Sequence, residues 1–118
     1  MYVRIARFEG MDPSRVDDQI AAIRRQIDEG RRRLGGAEMT RVEVEGVKAI
    51  DRILMVVDRE SGRGANLVFC ATQDDLQKAH AFLDSLAPDR PVGQRVSVEM
   101  YEVAIDERLG VPLGSAQK

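Results

Sequence analysis

Apolar residues change their spacing several times along the chain, and each change marks an element. From Tyr2 to Phe8 apolar and basic residues interleave among β-formers, which predicts a strand. Glu9-Gly10-Met11 then turns the chain, with Asp12 placed to cap a helix and Pro13 to open it. Val16, Ile20, Ile23 and Ile27 follow at i, i+4, i+7 and i+11. At about 100° per residue they lie within about 60° of one another, a single apolar stripe. Gly30 suits its stop.

Residues 31–46, RRRLGGAEMTRVEVEG, carry three arginines and two adjacent glycines and read as an exposed loop. Within it Arg41-Val42-Glu43-Val44-Glu45 alternates as a short edge strand would. Ala49 to Val57 is rich in branched residues and predicts a strand. Asp58 to Gly64 has the composition of a hairpin connection, and Ala65 to Ala71 returns as the next strand. Thr72 can cap a second helix, with Asp75 three residues on in an imperfect capping box. Leu76, Ala79, Leu83 and Leu86 give that helix its stripe, ending near Ala87-Pro88. After the turn-rich PDRPVG, Arg95 to Ile105 supplies the last strand, and the tail from Gly110 reads as loose.

The order is β-α-β-β-α-β, an α+β ferredoxin-like arrangement. It predicts a four-stranded antiparallel sheet with both helices on one face, a domain over residues 1–107 and a loose tail over 108–118. Strand residues alternate between faces. In the third strand Ala65, Leu67, Phe69 and Ala71 oppose Asn66, Val68 and Cys70; in the second, Ile53, Met55 and Val57 oppose Leu54 and Val56. In the last, Val96, Val98 and Met100 oppose Tyr101, Val103 and Ile105. Both faces are largely apolar, so the second face needs a cover. Two copies packed sheet to sheet would supply it; so would the 31–46 loop.

At 118 residues the chain fits one domain, and 43% hydrophobic with 32% charged residues is an ordinary globular balance. A net charge of -2 speaks against broad phosphate binding. Arg63-Gly64 ahead of an apolar strand is also how an RNA-recognition strand begins. Such a strand stacks bases on aromatics, and Ala65, Leu67 and Cys70 stand where those belong. Nucleic acid is therefore not an expected partner. The single cysteine cannot form an intramolecular disulfide, which sets a reducing, cytoplasmic location as the expectation. No apolar run approaches the roughly 18 residues of a membrane span, and MYVRIARFEG lacks the form of a signal peptide.

The opening YVRIARFEG, the hairpin LMVVDRESGRG, the helix start ATQDDL and the closing VSVEMYEV carry a family likeness. From Tyr2 to about Ile105 the chain resembles the antibiotic biosynthesis monooxygenase branch of the dimeric α+β barrel superfamily. The resemblance implies a homodimer with sheets face to face and an apolar cavity in each subunit between sheet and helices. It also implies a small apolar or aromatic ligand, and a cofactor-independent monooxygenase as one outcome. Haem-degrading relatives carry an Asn on the first strand, a Trp on the third and an axial His on the second helix. Only the last has a counterpart here, His80; the chain has no Trp, and Cys70 stands near that position. Haem chemistry is thus a minor alternative, and no cofactor is expected. A reading from another class is a non-catalytic dimerisation or interaction protein.

The enzyme reading needs converging polar groups, and five residues are candidates: His80, Asn66, Arg7, Arg4 and Tyr101. His80, the only histidine, lies on a helix flank beside Gln77 and Asp84, where it could serve as base or ligand or stand as a boundary residue. Asn66, the only asparagine, sits in a strand, where a buried amide would need a partner. Arg4 and Arg7 point to opposite faces, so at most one enters a given cavity, where it could bind a carboxylate or phenolate. Tyr101 could donate to a substrate oxygen or serve as core or interface. Cys70 reads as an inert buried thiol. The sequence holds no Cys/His metal spacing, no GxSxG, no GxGxxG and no phosphate-binding loop.

Overall fold

A computed structural model of the chain describes residues 1–34, 39–85 and 93–110. The elements are β1 (Tyr2–Glu9), a 3-10 turn (Pro13–Arg15), α1 (Val16–Arg33), α2 (Arg41–Ala49), β2 (Arg52–Asp58), β3 (Arg63–Cys70), α3 (Gln73–Ser85) and β4 (Gln94–Glu102). The strands form one antiparallel sheet in the order β2-β3-β1-β4. With three helices the fold is α+β and compatible with a ferredoxin-like arrangement. The expected end of α3 at Ala87-Pro88, the PDRPVG turn up to residue 92 and the tail from residue 111 lie outside the described residues.

The edge strand expected at Arg41–Glu45 is a helix instead. A run of five alternating residues is too short for its period to decide, and the residue before it does so. Thr40 accepts at Oγ1 from the Glu43 amide (3.2 Å) while Glu43 Oε1 accepts from the Thr40 amide (3.1 Å), a full capping box. Arg41 and Glu45, one turn apart, pair at 3.2 Å. The buried side of α2 is Gly46 and Ala49. A Cβ at Gly46 would collide with the side chain of Phe82, so its absence lets α2 lie close along α3.

Gly30 does not stop α1, which runs on to Arg33. Arg31, Arg32 and Arg33, expected in a loop, occupy its last turn, where cations meet the unpaired carbonyls. Asp12 caps the 3-10 turn, accepting from the Ser14 amide at 2.9 Å, rather than the α-helix itself. The start of α1 is pinned to the β2–β3 hairpin. The Met11 amide donates to the Gly62 carbonyl (2.9 Å), and Arg59 pairs with Asp17 at 2.9 Å. Gly62 adopts φ +71, and a Cβ there would strike the Met11 backbone.

The helical layer differs from the expected one. Of the three helices, α3 comes close to the central strands β1 and β3, and α2 packs on α3. The core is Ala49, Val68, Cys70, Leu76 and Ala79, flanked by Tyr2, Ile50, Ile53 and Leu83. The α1 stripe is buried at Val16 but only half-buried at Ile20, Ile23 and Ile27. Since Val68 and Cys70 face α3, strand register puts Tyr2, Arg4, Ala6, Ile53, Met55, Asn66, Val98 and Met100 on the same, helix-bearing face. Val3, Ile5, Arg7, Arg52, Leu54, Val56, Ala65, Leu67, Phe69, Ser97, Glu99 and Tyr101 lie on the open face, where the Arg52 guanidinium stands 5.3 Å from the centre of the Phe69 ring. Among the described residues no helix is long and apolar enough to cross a membrane.

Candidate functional site

The five candidates separate into two groups, one on each face of the sheet. On the helix-bearing face β1 carries Arg4 and α3 carries His80. Thr72 starts α3 by accepting from the Asp75 amide at 3.0 Å, and Leu76 and Ala79 seat it on the sheet. That seating turns His80 inward over β1. Arg4 Nε donates to His80 Nδ1 at 3.1 Å, joining residues 76 apart in the chain. Arg4 is 4% exposed, the one buried charged residue among those described. Burial lowers its pKa; Arg95 pushes the same way and Asp84 opposes. Asp84, one turn beyond His80, is itself paired with Arg95 of β4 at 3.1 Å.

Asn66 shares this face but stays apart from the pair. It stands opposite Ala6 and Met55, half-buried, and its side chain bonds to neither Arg4 nor His80.

Arg7 and Tyr101 belong to the open face, and one residue joins them. Arg7 Nε donates to Glu99 Oε1 at 2.7 Å, and the Tyr101 hydroxyl donates to Glu99 Oε2. Both bonds hold the Glu99 carboxyl below the usual carboxylate range, Tyr101 contributing most. The same contacts raise the Tyr101 phenol and the Arg7 guanidinium. Tyr101 is 49% exposed, so this cluster sits at the surface.

Glu99 and Arg95 escaped the sequence reading, and Asp84 entered it only as a neighbour of His80. For Glu99 a signal existed: Ser97, Glu99 and Tyr101 alternate as the polar set of β4. The last strand therefore makes one side of the open face polar, and its apolar part is confined to β1, β2 and β3. Asp84 and Arg95 carry no local signal, since only the docking of α3 beside β4 brings them together. Cys70 is 0% exposed, and burial pushes its thiol up to about 11, with Asp75 and Asp51 adding to the shift. Such a thiol stays protonated and unreactive.

Two concavities formed by described residues lie elsewhere. One runs along α1 between Arg25, Asp28, Glu29, Arg31 and Arg32, and the other along the α2–α3 seam between Val42, Glu45, Gln77, Lys78 and Ala81. None of the five candidates lines either. Among the described residues no three His, Cys, Asp or Glu side chains cluster as metal ligands would. No protein-family model matches the chain, and no curated protein or solved structure matches it at significance.

Proposed function

We propose that the chain is a self-associating α+β domain of the dimeric barrel kind, two copies closing their open sheet faces on each other. This is the non-catalytic assembly reading of the sequence. One observation carries it: Ile5, Leu54, Val56, Leu67 and Phe69 share a sheet face on which, among the described residues, no helix packs. Val56 at its edge is 50% exposed. With strands about 4.8 Å apart and a rise of about 3.3 Å per residue, the face measures about 19 Å by about 23 Å. That is about 440 Å² in plan, about half of the roughly 800 Å² per partner of a standard interface, so the residues bordering the sheet must add the rest. A second copy suits it because Arg7 and Glu99, set beside the apolar residues, already pair with each other at 2.7 Å, so an identical face meets no unmatched charge there. The resemblance to the antibiotic biosynthesis monooxygenase branch supports the same assembly.

Light scattering and native mass spectrometry test this. The full chain is expected to be a dimer at micromolar concentration, and Val56→Asp a folded monomer, because it buries an unpaired charge in each half. Val42→Asp, a change of equal chemistry at a residue 48% exposed on α2, is expected to remain dimeric. A monomeric wild type, or a dimer indifferent to Val56→Asp, would overturn the proposal.

A second reading, a small-molecule site on the helix-bearing face, has one observation in its favour: the contact between Arg4 and His80. Oxygenase chemistry would ask for more, since Asn66, Arg7 and Tyr101 do not converge on that pair.

A further inference from the structure

The Arg4–His80 pair has more hydrogen-bond donors than acceptors. An arginine offers five N–H groups, and Arg4 commits one of them to His80. An imidazole accepting at Nδ1 carries its proton at Nε2 and so presents a donor of its own. Among the described residues no side-chain acceptor meets that N–H or the terminal nitrogens of Arg4, and no carboxylate lies within ion-pair distance of Arg4. The carboxylate whose charge Arg4 feels, Asp84, is committed to Arg95 at 3.1 Å. Arg4 is 4% exposed as a residue, yet its terminal nitrogens are not among the buried side-chain nitrogens that lack a partner, so they open to solvent and a small anion can reach them. With no carboxylate of its own, the guanidinium is free to take one from a ligand.

We propose that Arg4 and His80 form a binding site for the carboxylate of a small organic acid with an apolar body. The planar guanidinium fork matches a carboxylate's two oxygens, and the imidazole N–H adds a neutral donor. One arginine, with Asp84 close by, suits a singly charged head rather than a dianion. The apolar body has a place on the same sheet face. Met100 stands directly opposite Arg4 in the β1–β4 pairing and Val98 opposite Ala6, and Met100 is 38% exposed. The site lies on the opposite face from the proposed dimer contact and does not rest on it.

Benzoate is the probe, with benzamide as its neutral counterpart of the same shape. His80 is the only histidine, so its ring signals in a nitrogen–proton NMR spectrum identify themselves. Benzoate is expected to shift them saturably, and benzamide to leave them in place. Arg4→Met is expected to weaken benzoate about tenfold or more, the worth of a charge-assisted pair, while Arg41→Gln on α2 leaves the titration unchanged. Binding is also expected to persist in the monomeric Val56→Asp protein, which separates this site from self-association. The proposal is overturned if benzoate gives no saturable shift, if benzamide matches it, or if Arg4→Met binds as wild type does. Should Arg4→Met fail to fold, the benzoate–benzamide contrast decides alone.

Discussion

Arg4 and Arg7 stand three residues apart on one strand, and the pleat sends them to opposite faces of one sheet. Arg7 is exposed and meets Glu99 at 2.7 Å, which raises its pKa; Arg4 is buried against His80, and burial lowers its own. The same side chain is thus a surface ion pair in one place and, in the other, a mostly buried cation with no carboxylate partner among the described residues. What separates them is the layer over each face, α3 with α2 on one and, among the described residues, no helix on the other. A charge that the fold leaves unmatched under a helix is a stronger mark of a ligand than one matched in the open. An apolar patch left bare is, by the same argument, a mark of a partner.

The contrast is broken most directly by truncating one apolar residue on each side. Leu76 of α3 is 3% exposed in the core, so Leu76→Ala is expected to cost about 3 kcal/mol. Leu54 on the open face is half-buried, and Leu54→Ala in the monomeric Val56→Asp background is expected to cost about 1 kcal/mol. Urea unfolding of the two pairs gives both numbers. Equal losses would mean that the faces are not covered differently.

Cys70 sharpens the contrast from the buried side. With its thiol pushed up to about 11 from 9.0, the thiolate fraction at a mildly alkaline pH is about a hundredfold smaller than for an ordinary thiol. Burial slows attack further. Iodoacetamide is expected to label the native chain at least about a hundredfold more slowly than the urea-unfolded chain. Labelling at comparable rates would show that the layer of α3 and α2 opens readily, and that Arg4 beneath α3 is no better covered than Arg7.

Much of this fold was legible in the sequence, because alternation and caps are local. The four strands, the hairpin at Asp58–Gly64 and the Thr72 start of α3 followed from residues within a few positions of one another. The strand expected from Ala49 begins instead at Arg52, since Ala49 closes α2, and the one expected to reach Ile105 ends at Glu102. The errors fell where a short pattern admits two periods. RVEVE reads as strand by alternation and as helix once Thr40 and Glu43 are seen to cap each other. Gly30 reads as a stop, yet helices tolerate a glycine and the basic turn after it stabilises the C-terminus. The site was legible only as candidates. Alternation separated Arg4 from Arg7, but that Arg4 meets His80 depends on how α3 docks, and that Arg7 and Tyr101 share Glu99 depends on β4 pairing beside β1. Neither fact lives within a sequence window.

The smallest expected effect belongs to the open-face cluster and is read as pH dependence. Hydrogen bonds from Tyr101 and Arg7 hold the folded Glu99 carboxyl below the usual range. A depressed carboxylate adds stability in full above its unfolded pKa, and that stability is lost as pH falls through the folded value. Wild type is therefore expected to melt slightly above Glu99→Gln at neutral pH, and the two melting curves to converge in acid. Asp12, Glu43 and Asp58 are likewise lowered by amide and hydroxyl donors, but they are common to both proteins and cancel in the difference. Because the cluster is exposed, screening keeps the effect small, and added salt is expected to shrink it further. If the gap between the curves widened in acid, Glu99 would not be the charged acceptor that Arg7 and Tyr101 share. The contrast between the matched arginine and the buried one would then lose its outer half.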